Sequence, residues 1–432
     1  MRIQLAYGAE GLELVLPDEL RPVVIEPRHR PALAEAKAAV RSALRAPIGS
    51  PALAALAGAG GRRPIGIIFS DATRPLPRRL LLEAVLAELA DVPREEIILF
   101  NALGTHRPSP PKELVEMLGP EIAAGYRIVQ NDSFDPSTQV SLGRSSFGHQ
   151  VRLNAVLPEC GLLVLVGFIE PHLFAGFSGG PKSIMPGLAG QATVLGNHDA
   201  GMIAHSAAVW GRIDGNPIWE EAREVLRRLL DWEGGRRAFL LNVTLNAAKE
   251  ITGVFAGEWE DAHRRGCAFV RETAMVPTDG LFDVVVTTNS GRPLDLNVYQ
   301  AVKGMSAAAR IVKDGGAIVC VSECREGIPS GSAFESILAG GGNPDEVLRS
   351  ILTARGPVQD QWQAQIQTQI QRRAEIHLYA DGLDDASIRR IHLIPCRDPA
   401  GTIRRLAAAR GPAARIAVLP QGPQTVPEPS SQ

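Results

Sequence analysis

Short apolar runs alternate with stretches of helical spacing along most of the chain. Pro64-Ile-Gly-Ile-Ile-Phe69 predicts a buried strand. Arg79 to Leu89 carries Leu and Val at helical spacing, and Ile97 to Phe100 is a second apolar strand. Strand, helix and strand make a βαβ unit, so a parallel sheet is implied. Ligands of such sheets gather at the carboxyl ends of the strands. Ser70-Asp-Ala-Thr-Arg-Pro-Leu-Pro77 and Asn101-Ala-Leu-Gly-Thr-His106 both follow a strand in this way.

The remaining pattern extends the same architecture. Residues 2–6 and 12–16 read as strands around a Gly8/Gly11 turn, Glu35 to Leu44 as helix, and Ala46 to Arg63 as a short helix with loops. Pro111 to Leu118 is helical and Tyr126 to Gln130 a strand. Cys160 to Ile169 is a buried strand, and a long loop follows from Glu170 to Asn197. Asn216-Pro217 caps a helix that runs through Leu230. Phe239 to Leu245 and Ile251 to Phe255 are strands, and Asp261 to Ala274 is a helix. From Asp279 the pattern restarts with strands at 282–288, 317–321, 376–379, 391–396 and 414–419. Helices lie between them, at 299–312, 332–338, 344–354, 360–373 and 399–409. The fold expected is α/β, with two α/β domains of largely parallel sheets and a Rossmann-like C-terminal domain. The expected division is 1–275, joined by the last strand at 410–420, and 279–409. The Pro/Gln/Ser-rich end, 421–432, reads as disordered.

Composition narrows the function classes. In 432 residues, 45 Lys+Arg stand against 47 Asp+Glu, a net charge of −2. Nucleic-acid binders usually carry a basic excess, so no nucleic-acid partner is expected. The longest apolar run, Gly161 to Ile169, is far short of the roughly 20 residues that span a bilayer. The start lacks the apolar core of a signal peptide, so no membrane association and a cytoplasmic location are expected. The five Cys are scattered and read as buried thiols. The 43 Gly and 32 Pro can mean disorder or many tight functional loops.

Three segments carry candidate chemistry. In the first, Ser178-Gly179-Gly180 precedes Lys182-Ser183. Glycines let amides converge on an anion and a Lys adds charge, although the spacing is not that of a P-loop. A Gly-rich turn entering a helix explains it as well. In the second, Asp71, Thr73 and Arg74 lie at a strand end, where an Arg can hold a carboxylate or phosphate bidentately. A helix start capped by Asp71 or Thr73 is the alternative. In the third, Tyr299, Gln300 and Lys303 open a helix, with Tyr299 and Lys303 on one face. A surface turn explains that equally. Trp362, on a Gln-rich helix, is either core or a substrate wall. His106, His172 and His198 each sit in a loop near a strand end.

Six motifs in combination carry a resemblance over about residues 10–420. They are Ser-Asp-Ala-Thr-Arg-Pro (70–75), Gly-Thr-His-Arg-Pro (104–108), Glu-Pro-His (170–172), Ser-Gly-Gly-Pro-Lys-Ser (178–183), Gly-Asn-His (196–198) and Tyr-Gln-Ala-Val-Lys-Gly (299–304). The chain resembles the lactate racemase family that uses a nickel-pincer nucleotide, a nickel-bearing pyridinium-3-thioamide-5-thiocarboxylic acid mononucleotide. The resemblance implies a racemase or epimerase of a 2-hydroxy acid, which works by proton-coupled hydride transfer to that cofactor through a 2-keto acid. It implies covalent attachment at Lys182, nickel ligation by His198, and acid/base roles for His106 and His172. Asp71 and Thr73 match a loop near the cofactor. Arg74, Tyr299, Gln300, Lys303 and Trp362 match the substrate site. The cofactor's phosphate suggests a place for it near Ser178, Gly179 and Gly180. A site sharing residues 70–303 is expected in a cleft between the domains. Implied partners are the small-molecule hydroxy acid and the cofactor-biosynthesis enzymes. Three rivals remain: the same cofactor used for net hydroxy/keto acid exchange, a zinc hydrolase on His106, His172 and His198, and a non-catalytic nucleotide-binding protein. No His-Glu-x-x-His helix supports the zinc site.

Overall fold

A computed structural model describes residues 1–28, 30–58, 64–329 and 332–430. Residues 59–63, the end of the Ala/Gly/Pro-rich stretch, lie outside the described residues. The chain forms two compact units. The central unit comprises His29–Asn197 and Ser206–Arg271; the terminal unit comprises Met1–Arg28, His198–His205 and Glu272–Gln432.

The central unit is built on a six-stranded sheet. Its order is Ile251–Glu258, Arg237–Leu245, Leu162–Phe168, Ile65–Ser70, Ile97–Ala102, Arg127–Gln130. Every pairing is parallel except that of the edge strand Ile251–Glu258. The continuous apolar runs are explained by burial on both faces, as in parallel sheets covered by helices. Ile67, Leu99, Val164 and Leu241 pack with Leu81, Leu82 and Val85 of the Arg78–Glu88 helix on one face. Ile68, Phe100, Leu163, Leu165 and Leu240 pack with Val225, Leu226 and Leu229 of the Pro217–Asp231 helix on the other. Asn216 caps that helix by accepting from the Ile218 amide at 3.1 Å, with Pro217 at its first position.

The terminal unit holds a second six-stranded sheet, parallel throughout. Its order is Ile394–Pro395, Ala374–Tyr379, Val312–Val321, Phe282–Thr288, Ile416–Leu419, Val23–Val24. This is the doubly wound arrangement expected of the restarted pattern.

Four expectations change. Strand Ile416–Leu419 pairs with Phe282–Thr288, so it belongs to the terminal unit and does not rejoin the central one. The first 28 residues also join the terminal unit, because Val23–Val24 extends that sheet. The tail is ordered at Val426–Pro429, which pairs in parallel with Met275–Thr278 and buries Val426. Its prolines suit a two-stranded ribbon, where each strand is an edge and has ladder bonds on one side only. The stretch from Glu170 to Asn197 is no open loop. It contains the Pro171–His172/Gly176–Phe177 ribbon, a 3-10 turn at Gly180–Ser183 and a helix at Gln191–Asn197. All five cysteines are buried and unpaired, as expected.

Candidate active site

Within the central unit the candidate residues follow three adjacent parallel strands. Ile65–Ser70 leads into Asp71, Thr73 and Arg74; Ile97–Ala102 leads into His106; Leu162–Phe168 leads into His172 and Lys182. Hydrogen bonds tie these loops together. His106 Nδ1 lies 2.8 Å from Asp71 Oδ2. The Gly104 amide donates to the Gly187 carbonyl at 2.9 Å, and the Gly187 amide to that of Lys182 at 3.2 Å.

Asp71 is buried while His106 is largely exposed. Burial alone would raise the Asp71 carboxyl. The hydrogen bond and charge of His106, the charge of Arg74 and the Thr73 hydroxyl outweigh it, so the group sits below the usual carboxylate range. Thr73 Oγ1 donates to Asp71 at 2.9 Å. A carboxylate at Nδ1 fixes the proton there, which leaves His106 Nε2 as a lone pair. Neither Asp71 nor Thr73 caps the following helix, whose first turn has no side-chain cap. The loop is held instead by Arg78, which sequence reasoning missed. Its buried guanidinium donates to the carbonyls of Ser70 at 2.6 Å, Arg74 at 2.7 Å, Leu76 at 3.3 Å, and Asp71.

His172 carries the opposite hydrogen-bond polarity. Its Nδ1 accepts from the Ala175 amide at 3.2 Å and faces that of Phe174 at 3.5 Å, so in the neutral ring the proton is on Nε2. The Phe174 ring meets it edge-on at 4.5 Å.

Lys182 stands in a turn built from behind. Burial and the nearby charge of Arg74 push its ammonium down to about 7. No ion pair to Lys182 or Arg74 forms among the described residues. The turn does not present the amides expected of a phosphate cradle. The Ser178 amide donates to the Glu170 carbonyl at 2.9 Å and the Gly180 amide to Asn242 Oδ1 at 2.9 Å. Two of the three amides of the Ser178–Gly180 turn are thus spent inside the protein. Gly179 and Gly180 are needed for space and for their positive φ of 74° and 57°. A Cβ on Gly179 would lie 2.3 Å from Asn242 Oδ1, and one on Gly180 2.6 Å from His263 Cγ.

The terminal unit carries the rest. His198 is 5% exposed, just before the Ala200–Ala204 helix that Asp199 caps. Its ring lies 5.0 Å from that of Trp362. Trp362 Nε1 donates to Tyr299 Oη at 3.0 Å, and Tyr299 Oη reaches Asp360 at 3.2 Å. Through its hydroxyl Tyr299 thus ties Trp362 to Asp360. Gln300 and Lys303 share the Val298–Ala308 helix, capped by Asn297. The Gln-rich helix Gln361–Gln371 is buried, not solvated. Gln363, Gln365 and Gln367 donate to the carbonyls of Tyr299, Ala200 and Ile391 at 2.8–2.9 Å.

Among the described residues no three His, Cys, Asp or Glu side chains gather as a metal site.

The comparisons with known proteins decide the family. The lactate racemase N-terminal domain model matches residues 7–211 and the C-terminal domain model residues 278–426. The lactate racemase of Lactiplantibacillus plantarum is 38% identical over 386 residues, 89% of each chain. The chain belongs to the lactate racemase family. It is therefore an enzyme, an isomerase of the racemase type. The lactate racemase of Thermoanaerobacterium thermosaccharolyticum is 33% identical over 97% of each chain. A solved lactate racemase apoprotein from that organism superposes with a TM-score of 0.91 at 32% identity, over 99% of this chain and 100% of that one. A Thermotoga maritima protein covered in full, over 93% of this chain, has a TM-score of 0.67 at 16% identity and shares the fold.

Proposed function

We propose that the protein interconverts the enantiomers of a 2-hydroxycarboxylate, lactate being the first candidate, with a nickel-pincer nucleotide attached at Lys182. The observation that carries the reading is the opposite polarity of the two histidines. His106 offers a lone pair at Nε2, and His172 offers a proton there. Inversion through a flat keto acid needs one group to take the hydroxyl proton and another to return it from the far face.

The residues fit the cofactor. A half-buried lysine whose ammonium is pushed down to about 7, with no acidic partner among the described residues, is a nucleophile near neutral pH. A single buried imidazole, His198, suits a metal whose remaining donors come with an organic carrier. When bound, the group supplies a nickel ion and a ring carbon able to accept and return hydride. On the central unit Arg74 binds the substrate carboxylate, its planar guanidinium doing so bidentately, and on the terminal unit Gln300 and Lys303 are the substrate-binding residues. His106 takes the hydroxyl proton at Nε2, and Asp71 stabilises the imidazolium formed. His172 delivers a proton from Nε2 to the oxygen as the imidazolium, having taken its second proton at Nδ1 in place of the amide contacts there, and returns to a neutral ring once the keto acid has turned. In the opposite direction the two exchange roles. Asp71 and Thr73 thus act through His106, and Trp362 walls the His198 side.

Co-expression with the cofactor-synthesis enzymes, intact mass, nickel analysis and a panel of D- and L-hydroxy acids test the proposal. A loaded enzyme that racemises no member of the panel sinks it. Isotope scrambling between two different acids would instead favour net hydroxy/keto exchange on the same residues.

A further inference from the structure

The Lys182 turn rests on two buried polar side chains that no step of the proposed reaction uses. Asn242 lies in the middle of the Arg237–Leu245 strand and is fully buried. Its Oδ1 takes the Gly180 amide at 2.9 Å, while Nδ2 donates to the Leu165 and Leu241 carbonyls at 3.2 and 3.0 Å. His263, on the Trp259–Ala274 helix, is also fully buried. Its Nε2 donates to the Ser178 carbonyl at 2.9 Å. Trp219 stacks on one side of the ring, with 10° between planes and 6.1 Å between centroids. Cys267 Sγ lies 3.6–3.8 Å from the two ring nitrogens. Gly180 presses on the imidazole so closely that a Cβ there would clash.

We propose that His263, with Asn242, is a positioning residue for Lys182: together they fix the Ser178–Gly180 turn and so hold the lysine that follows it in place for attachment. The attachment itself rests on the function proposed above; the placement of the amine does not. The physical link is direct. Burial is the first cause of the depressed Lys182 ammonium, and Lys182 stands in the Gly180–Ser183 turn that these two side chains hold. The charged groups involved are Arg74, whose charge acts in the same direction, and His263, which burial pushes down to about 4 and keeps neutral at working pH. A neutral ring with Nε2 protonated is the form that can donate to Ser178.

The test reads Lys182 on the full-length chain made without cofactor. Acylation by an N-hydroxysuccinimide acetate is followed against pH by peptide mass spectrometry. His263→Phe keeps an aromatic ring and removes the donor; His263→Gln keeps a donor near Nε2. The expected midpoint for Lys182 moves up by about one pH unit or more in the Phe variant, a loss of about five-fold or more in neutral amine at the wild-type midpoint. In the Gln variant it stays within about half a unit of wild type. Merely structural damage would lower thermal stability in both and move both midpoints alike, and that result overturns the proposal. So does a Phe variant that titrates like wild type. If the Phe variant does not fold, Gly180→Ala displaces the turn from the other side; an upward shift supports the proposal and an unchanged midpoint overturns it. Failure of the attachment reading shows elsewhere, as a cofactor mass that survives Lys182→Ala.

Discussion

At Asp71, burial and pairing pull in opposite directions, and pairing wins. A carboxylate left unpaired in that place would tend to protonate. Beside His106 it stays ionised and fixes the ring's tautomer. Asp71→Asn keeps the shape and can present its amide nitrogen to Nδ1, reversing the tautomer. Racemisation is expected to fall by about 100-fold or more, with the cofactor mass retained. Wild-type rates in Asp71→Asn would refute the base role of His106. At Lys182 the sign of the pH effect is fixed by linkage. The folded chain holds the ammonium proton less tightly than the unfolded chain, at about 7 against 10.5. Between those values the unfolded state binds more protons, so this residue's contribution to stability rises with pH. Below 7 both states are charged and the full penalty stands. Lys182→Met should therefore stabilise the apoprotein at pH 6, by about 1 kcal/mol or more, and lose that advantage by pH 10 to 11. Thermal unfolding at the two pH values decides it.

Among the elements, those with one strong local signal were legible and those held by tertiary contacts were not. The Ile65–Ser70, Ile97–Ala102 and Leu162–Phe168 strands are uniform apolar runs because a parallel sheet buries both faces, so period and burial agree. That same order revealed which loops would meet. The burial of the Gln361–Gln371 helix was not legible, because its amides are spent on distant carbonyls, which no local pattern encodes. The tail strand depends on Met275–Thr278, some 150 residues away in the chain. The glycines at 179 and 180 suggested an anion cradle, whereas they exist to clear Asn242 and His263. One signal was available: an Asn among buried apolar neighbours in Phe239 to Leu245 has to be satisfied by something. Arg78 was hidden for a similar reason, since its partners are backbone carbonyls. Arg78→Met leaves four acceptors without their donor and should cost about 1–3 kcal/mol. Activity should drop further than stability, because Asp71 and Arg74 share that loop. Partial recovery of both in Arg78→Lys is expected; full activity in Arg78→Met would show that the loop holds itself.

For the whole molecule, a net charge of −2 leaves no broad field to draw in an anionic substrate. On the proposed function, recognition falls to a few placed cations, with Arg74 the candidate on the central unit and Lys303 the candidate on the terminal one. Arg74→Ala and Lys303→Ala should each raise KM by about 10–100-fold, the worth of a charge-assisted hydrogen bond. Retention of the cofactor mass in both variants separates substrate binding from attachment, since a cation that serves only the carboxylate leaves the lysine link intact. A KM unmoved by either change would leave that residue with a different task.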